Sequence, residues 1–138
     1  MISRGWFSSV IQTEPSTAQT VLPATPTLTL KVNGLHPTPP IVFTTGPLAL
    51  TLDVGASTYT APLLSYWAII VNGHVFWVTA SGVQATPAPL AFGPPVAAVN
   101  VPLMNITQPA GTVLTNVFLL VDSGGAIVAA DAIVSIRP

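Results

Sequence analysis

Charge is nearly absent from this sequence. Of its 138 residues only 5% are Asp, Glu, Lys or Arg, against roughly 25% in an ordinary soluble domain. The full set is Arg4, Lys31 and Arg137 against Glu14, Asp53, Asp122 and Asp131. Three cations cannot form a stripe that follows a phosphate backbone, so no nucleic-acid partner is expected. Cysteine is missing altogether, which excludes disulfides and thiolate chemistry and argues against a structural zinc site. Long apolar runs are missing too. The most apolar stretches, Leu63 to Val71 and Val113 to Val121, are about nine residues long. A membrane-spanning helix needs about 20, so no membrane span is expected. Met1-Ile2-Ser3-Arg4 begins with a basic residue, but Gly5-Trp6-Phe7-Ser8-Ser9-Val10-Ile11 is too short and polar for the core of an export signal. The expectation is a chain that keeps its initiator Met and has no classical export signal.

What is present is apolar. Half of the residues are hydrophobic (50%) and the net charge is −1, so electrostatic repulsion gives little protection against self-association. Intrinsic disorder is not expected, because disordered chains are poor in branched and aromatic residues and rich in charge. Either a neutral surface of Thr, Ser, Asn and Gln keeps the chain in solution, or neighbouring subunits cover much of its outside. Strands that are apolar on both faces favour the second.

Residues 1–26 read as an extended arm. They mix Ser, Thr, Gln and three prolines with one apolar cluster, Trp6, Phe7, Val10 and Ile11, whose spacing suits either one turn of amphipathic helix or an anchor that docks on a neighbour. From residue 27 to 138 the pattern is β. Strand-like runs cover Thr27–Asn33, Ile41–Thr45, Leu48–Val54, Leu64–Asn72, His74–Ala80, Val96–Met104, Val113–Val121 and Ala126–Ile136. The 15 prolines of the chain are spaced so that no long helix fits. The expected fold is all-β, a single Ig-like or jelly-roll β-sandwich of about eight antiparallel strands.

Asn72-Gly73 lies between two β-branched and aromatic runs and calls for a two-residue type I′ hairpin. That turn fixes the register. Val71 faces His74, Ile69 faces Phe76 and Trp67 faces Val78, and this face is the expected core. The other face pairs Ile70 with Val75, Ala68 with Trp77, and Tyr66 with Thr79. Tyr66, Ile70, Val75 and Trp77 are large and apolar where a free sandwich would be polar, so a partner surface is expected there. A second hairpin is expected around Asp122-Ser123-Gly124-Gly125. It puts Val117, Leu119 and Val121 on one face, and Phe118 and Leu120 on the other. The last strand ends in Arg137-Pro138, as an edge strand would.

Catalytic chemistry finds little support. Only His36 and His74 could act as a base; His74 borders the hairpin turn, and His36 sits in a proline-rich loop with no carboxylate adjacent in sequence. Asp122 opens a turn, Asp53 ends a strand, and Asp131 lies within an apolar strand, free to face outward or to pair with Arg137 or Lys31. No acidic cluster suits calcium, and Gly124-Gly125 is a turn with no helix behind it to form a phosphate site. No enzyme activity, cofactor or metal is expected. Asn105-Ile106-Thr107 matches the glycosylation sequon.

Ser65-Tyr66-Trp67-Ala68-Ile69-Ile70-Val71, Gln108-Pro109-Ala110-Gly111-Thr112, Phe118-Leu119-Leu120-Val121-Asp122 and Asp131-Ala132-Ile133-Val134 carry a resemblance. Across roughly residues 60–138 the chain resembles bacterial exported Ig-like β-sandwich modules. It departs from them where Val113 stands in place of Tyr and where no signal peptide precedes the domain. The resemblance implies a sandwich with surface or adhesive roles and brings no catalytic residues. Two roles are therefore expected. The first is a virion component (a decoration, cement or minor capsid protein) bound to copies of itself or to a larger shell protein. The alternative is a filament or adhesin subunit outside the cell or on its surface.

Overall fold

The computed structural model describes residues 21–36 and 40–138. Ten strands make up the described fold: β1 (Leu28–Val32), β2 (Ile41–Val42), β3 (Leu48–Val54), β4 (Leu63–Val71), β5 (His74–Thr79), β6 (Gly82–Gln84), β7 (Ala91–Gly93), β8 (Ala98–Ile106), β9 (Thr112–Val121) and β10 (Ile127–Arg137). They form a β-sandwich of unequal sheets. The small sheet has the order β8-β3-β1. The large one has the order β2-β10-β9-β4-β5-β6, with β7 also paired to β4.

The core follows from strand periodicity. Leu28, Leu30 and Val32 of β1 and Leu48, Leu50 and Leu52 of β3 point inward at every second position. They meet Leu63 and Trp67 of β4, Leu114, Phe118 and Leu120 of β9, and Ile133 of β10. Each such side chain contributes about 1.5–3 kcal/mol on burial. A polar bridge inside the core lies within the large sheet, where Trp67 Nε1 donates to Asn116 Oδ1 at 2.9 Å.

Both expected hairpins form. Asn72 and Gly73 have φ of 48° and 88°, as a type I′ turn requires. The register has Trp67 opposite Val78, Ile69 opposite Phe76 and Ile70 opposite Val75. At the second turn Asp122 Oδ1 accepts from the backbone N–H groups of Gly124 and Ala126, both at 2.9 Å, the self-bonding expected of Asp there.

Several expectations need correction. The described residues form ten strands where about eight were expected, because β6 and β7 are three residues each and too short to show periodicity. The run Ile41–Thr45 is a strand only at Ile41–Val42. That strand pairs parallel to β10, so the sheet is not wholly antiparallel and the last strand is not a bare edge. His36 is near a carboxylate after all: its Nδ1 lies 2.6 Å from the Leu30 carbonyl and 3.6 Å from Asp131 Oδ2. Asp131 pairs with neither Arg137 nor Lys31; it turns inward and accepts from the Leu30 backbone N–H.

The arm placed at residues 1–26 lies mostly outside the described residues, Trp6, Phe7, Val10 and Ile11 included. Of its described part, Pro26 is buried and the Pro23 carbonyl accepts from Thr58 N–H at 2.9 Å.

Candidate interaction surface

The outward faces of the two sheets differ in chemistry. On the small sheet the outward residues of β1 and β3 include Thr29, Lys31, Thr51 and Asp53. Lys31 Nζ lies 3.0 Å from Asp53 Oδ2 and donates to Asn100 Oδ1 at 2.6 Å. Asn100 N–H donates to Asp53 Oδ1 at 2.7 Å. That backbone bond first, and the Lys31 ammonium second, hold the Asp53 carboxyl below its ordinary value. At Lys31, Asp53 and Asn100 this face is polar, and its charged groups are paired.

The outward face of the large sheet carries no charge. Pairing between strands defines it row by row. Val75, Ile70, Thr115 and Val134 share one row; Trp77, Ala68, Val117 and Ala132 share the next. Tyr66, Leu119 and Ala130 follow, then Phe92, Leu64 and Val121. Tyr66 and Trp77 meet edge to face, with ring centroids 6.3 Å apart, a favoured aromatic geometry. Beside them is a shallow depression of about 420 Å³ bordered by Pro87, Leu119, Val121 and Ile127.

Sequence reasoning found four members of this face, Tyr66, Ile70, Val75 and Trp77, and the structure brings all four together. Ile70, Tyr66 and Trp77 are half-buried by their neighbours, while Val75 is exposed. Leu119 and Val117 were legible as one side of a strand, but not as neighbours of Tyr66 and Ala68. Phe92 gave no signal, because its strand is three residues long.

No family model, curated protein or solved structure matches this chain.

The described ionisable groups lie apart from this face and mostly serve the fold. Lys31 pairs with Asp53, Asp122 builds a turn, and Asp131 with His36 bonds the backbone of β1. Arg137 donates to the Gln108 carbonyl at 3.0 Å. Gln108, which sequence reasoning passed over, is fully buried. Its amide donates to the carbonyls of Thr112 and Ser135, and its Oε1 accepts from the Ser135 hydroxyl. Among the described residues no group of three or more His, Asp or Glu could hold a metal ion.

The expected core face of the hairpin is only partly covered. Trp67 is buried, and Ile69, Val71 and Val78 pack against the core. Phe76, however, is 40% exposed. The reason is sheet width: the large sheet continues through β5 and β6, while the small sheet ends at β8. A groove of about 330 Å³ results, lined by Ile69, Val71, Phe76, Val83, Met104, Ile106, Pro109, Thr112 and Leu114.

Proposed function

We propose that this chain is a non-catalytic assembly subunit, docking on other protein surfaces through the outward face of its large sheet and through its N-terminal arm. The charge-free face from Val75 and Trp77 across to Ala132 carries this reading. Monomeric proteins rarely expose a contiguous apolar patch beyond a few hundred Å², and the small sheet shows that this chain places charge where a face meets water. Burial of that face against a second apolar surface is favourable at about 25 cal/mol per Å². An apolar sheet face suits side-by-side packing in a shell, and the role that fits is a decoration, cement or minor capsid component of a virion, with copies of itself among its neighbours.

Light scattering on the purified full chain tests this. Val75 and Ala132 are exposed on this face, so Val75→Lys with Ala132→Lys should leave the fold intact. The parent chain is expected well above the monomer mass of 14.2 kDa, and the double variant closer to it. A parent chain that runs as a monomer, or a variant that assembles equally well, overturns the proposal.

A further inference from the structure

We infer that the Lys31 amine and the Asn100 carboxamide react with each other to form an amide crosslink, with Asp53 carrying the protons. The product is a covalent clamp across the small sheet. It stands apart from the assembly reading, because all three residues belong to one chain and none lies on the large sheet.

The placement follows from strand order. In the sequence β8-β3-β1, Lys31 stands on one outer strand, Asn100 on the other and Asp53 on the strand between them. Lys31 is opposite Thr51 and Asp53 is opposite Thr29, so Lys31 and Asp53 are diagonal neighbours on one face. Asn100 falls where β8 shifts register between Ala98 and Val101, and its φ is 56°. Such a bulge re-aims a side chain, and here it brings the carboxamide to the lysine. Lys31 Nζ is 2.6 Å from Asn100 Oδ1 and 3.0 Å from Asp53 Oδ2. Asp53 Oδ1 accepts from the Asn100 backbone N–H at 2.7 Å. One carboxylate therefore holds both reactants, one with each oxygen. The side chains of Lys31 and Asp53 are only 18% and 28% exposed.

An ion pair alone is the ordinary use of a lysine beside an aspartate. The carboxamide sets this one apart. Its electrophilic carbon Cγ is one C=O bond, about 1.23 Å, beyond the oxygen that Nζ touches, and an amine is a competent nucleophile once it has lost a proton. The Asn100 N–H and then Lys31 hold the Asp53 carboxyl below its ordinary value. It is therefore ionised at neutral pH and able to accept a proton from Nζ, within the reach of a general base. The freed lone pair of Nζ forms a bond to Asn100 Cγ, and the Cγ–Nδ2 bond breaks. Two protons pass from Nζ through Asp53 to Nδ2, which departs as ammonium, so no oxidant or cofactor is consumed. A carboxyl held low is a weak base, which makes the reaction slow. Contact between the reactants offsets this, since well-oriented intramolecular reactions reach effective molarities on the order of 10⁵–10⁸ M. The link joins residues 69 positions apart in a chain without cysteine. A crosslink of that span stabilises mainly by restricting the unfolded chain.

Lys31 is the single lysine of the chain, so its fate is easily read. Full-length protein is held folded at neutral pH for two weeks, then denatured, weighed by mass spectrometry and treated with an amine-reactive label. The expected product is lighter than its sequence by one ammonia, takes no label at residue 31, resists trypsin there and yields a 31–100 linked peptide. Lys31→Arg and Asn100→Gly, the second suited to a positive φ, should each keep the full mass of their own sequence. Asp53→Ala, checked for its fold by circular dichroism, should form the link about 100-fold more slowly. A parent chain at full mass with Lys31 labelled overturns the inference. Loss of ammonia with residue 31 still labelled also overturns it, and would mark ring closure at another Asn. Loss of water with residue 31 blocked would join Lys31 to Asp53 and overturns it too. An Asp53→Ala chain that crosslinks at the parent's rate overturns the proton-carrying role.

Discussion

Asp131 Oδ2 accepts a 2.7 Å hydrogen bond from the backbone N–H of Leu30, 101 residues away. Asp131 belongs to the large sheet and Leu30 to the small one, so this bond stitches the two sheets along one flank. His36 completes the arrangement from the other side, its Nδ1 donating to the Leu30 carbonyl at 2.6 Å. Leu30 pairs with Leu52 on its inner side and, among the described residues, has no strand on its outer side. The two side chains therefore satisfy the backbone of an edge strand that would otherwise offer free hydrogen-bonding groups to another chain.

Replacing Asp131 by Ala leaves the Leu30 N–H without its acceptor, and Leu30 is fully buried. An orphaned buried donor costs about 1–3 kcal/mol. Urea unfolding of Asp131→Ala is expected to show a lower midpoint by that amount, with an unchanged slope. A loss below a few tenths of a kcal/mol would mean that water replaces the carboxylate.

Gly73 has φ of 88°, in the region where an L side chain strains the backbone by about 1–2 kcal/mol. Gly73→Val should therefore destabilise by at least that much. The effect is read from thermal unfolding, and a neutral result would show that the hairpin tolerates a different turn.

Gly55 N–H donates to the Thr27 carbonyl at 2.8 Å, and a Cβ at residue 55 would collide with the Thr27 hydroxyl. Gly55→Ala is expected to lose about 1–3 kcal/mol, as overpacking does. Thr27→Ala in the same chain removes the colliding oxygen and should recover most of the loss. A double variant no more stable than Gly55→Ala alone would place the strain in the backbone.

The pH dependence of stability carries the mark of Asp53. Its carboxyl is held below the ordinary value of 3.8 by the Asn100 backbone N–H and then by Lys31. A depressed carboxyl stabilises the fold fully above its unfolded value, and the contribution disappears as pH falls through the lower folded one. Asp53→Asn is therefore expected to be less stable than the parent at pH 6. The gap between their urea midpoints should narrow below about pH 4. A gap that stays constant down to pH 2 would show that the charge of Asp53 contributes nothing.

Much of this architecture is legible in the sequence because its causes are local. Alternation within Leu48–Val54 and Val113–Val121, the Asn72-Gly73 turn and the Asp122 turn each depend on neighbours a few residues away. The turn alone put Tyr66, Ile70, Val75 and Trp77 on two adjacent strands with one outward face. Their union with Val117 and Leu119 needed the pairing of β4 with β9, which closes a long loop and leaves no short-range trace.

What the sequence by itself determined is therefore where the long strands lie, how the hairpins register and that both faces of those strands are apolar. Only the tertiary structure decided which apolar residues are covered. Phe76 shares its face with Trp67, yet one is open and the other buried, because sheet width ends the small sheet at β8. Only the tertiary structure, too, gave Asp131 and His36 a shared partner in Leu30. Local periodicity sets which way a side chain points, whereas burial depends on what distant segments bring to face it.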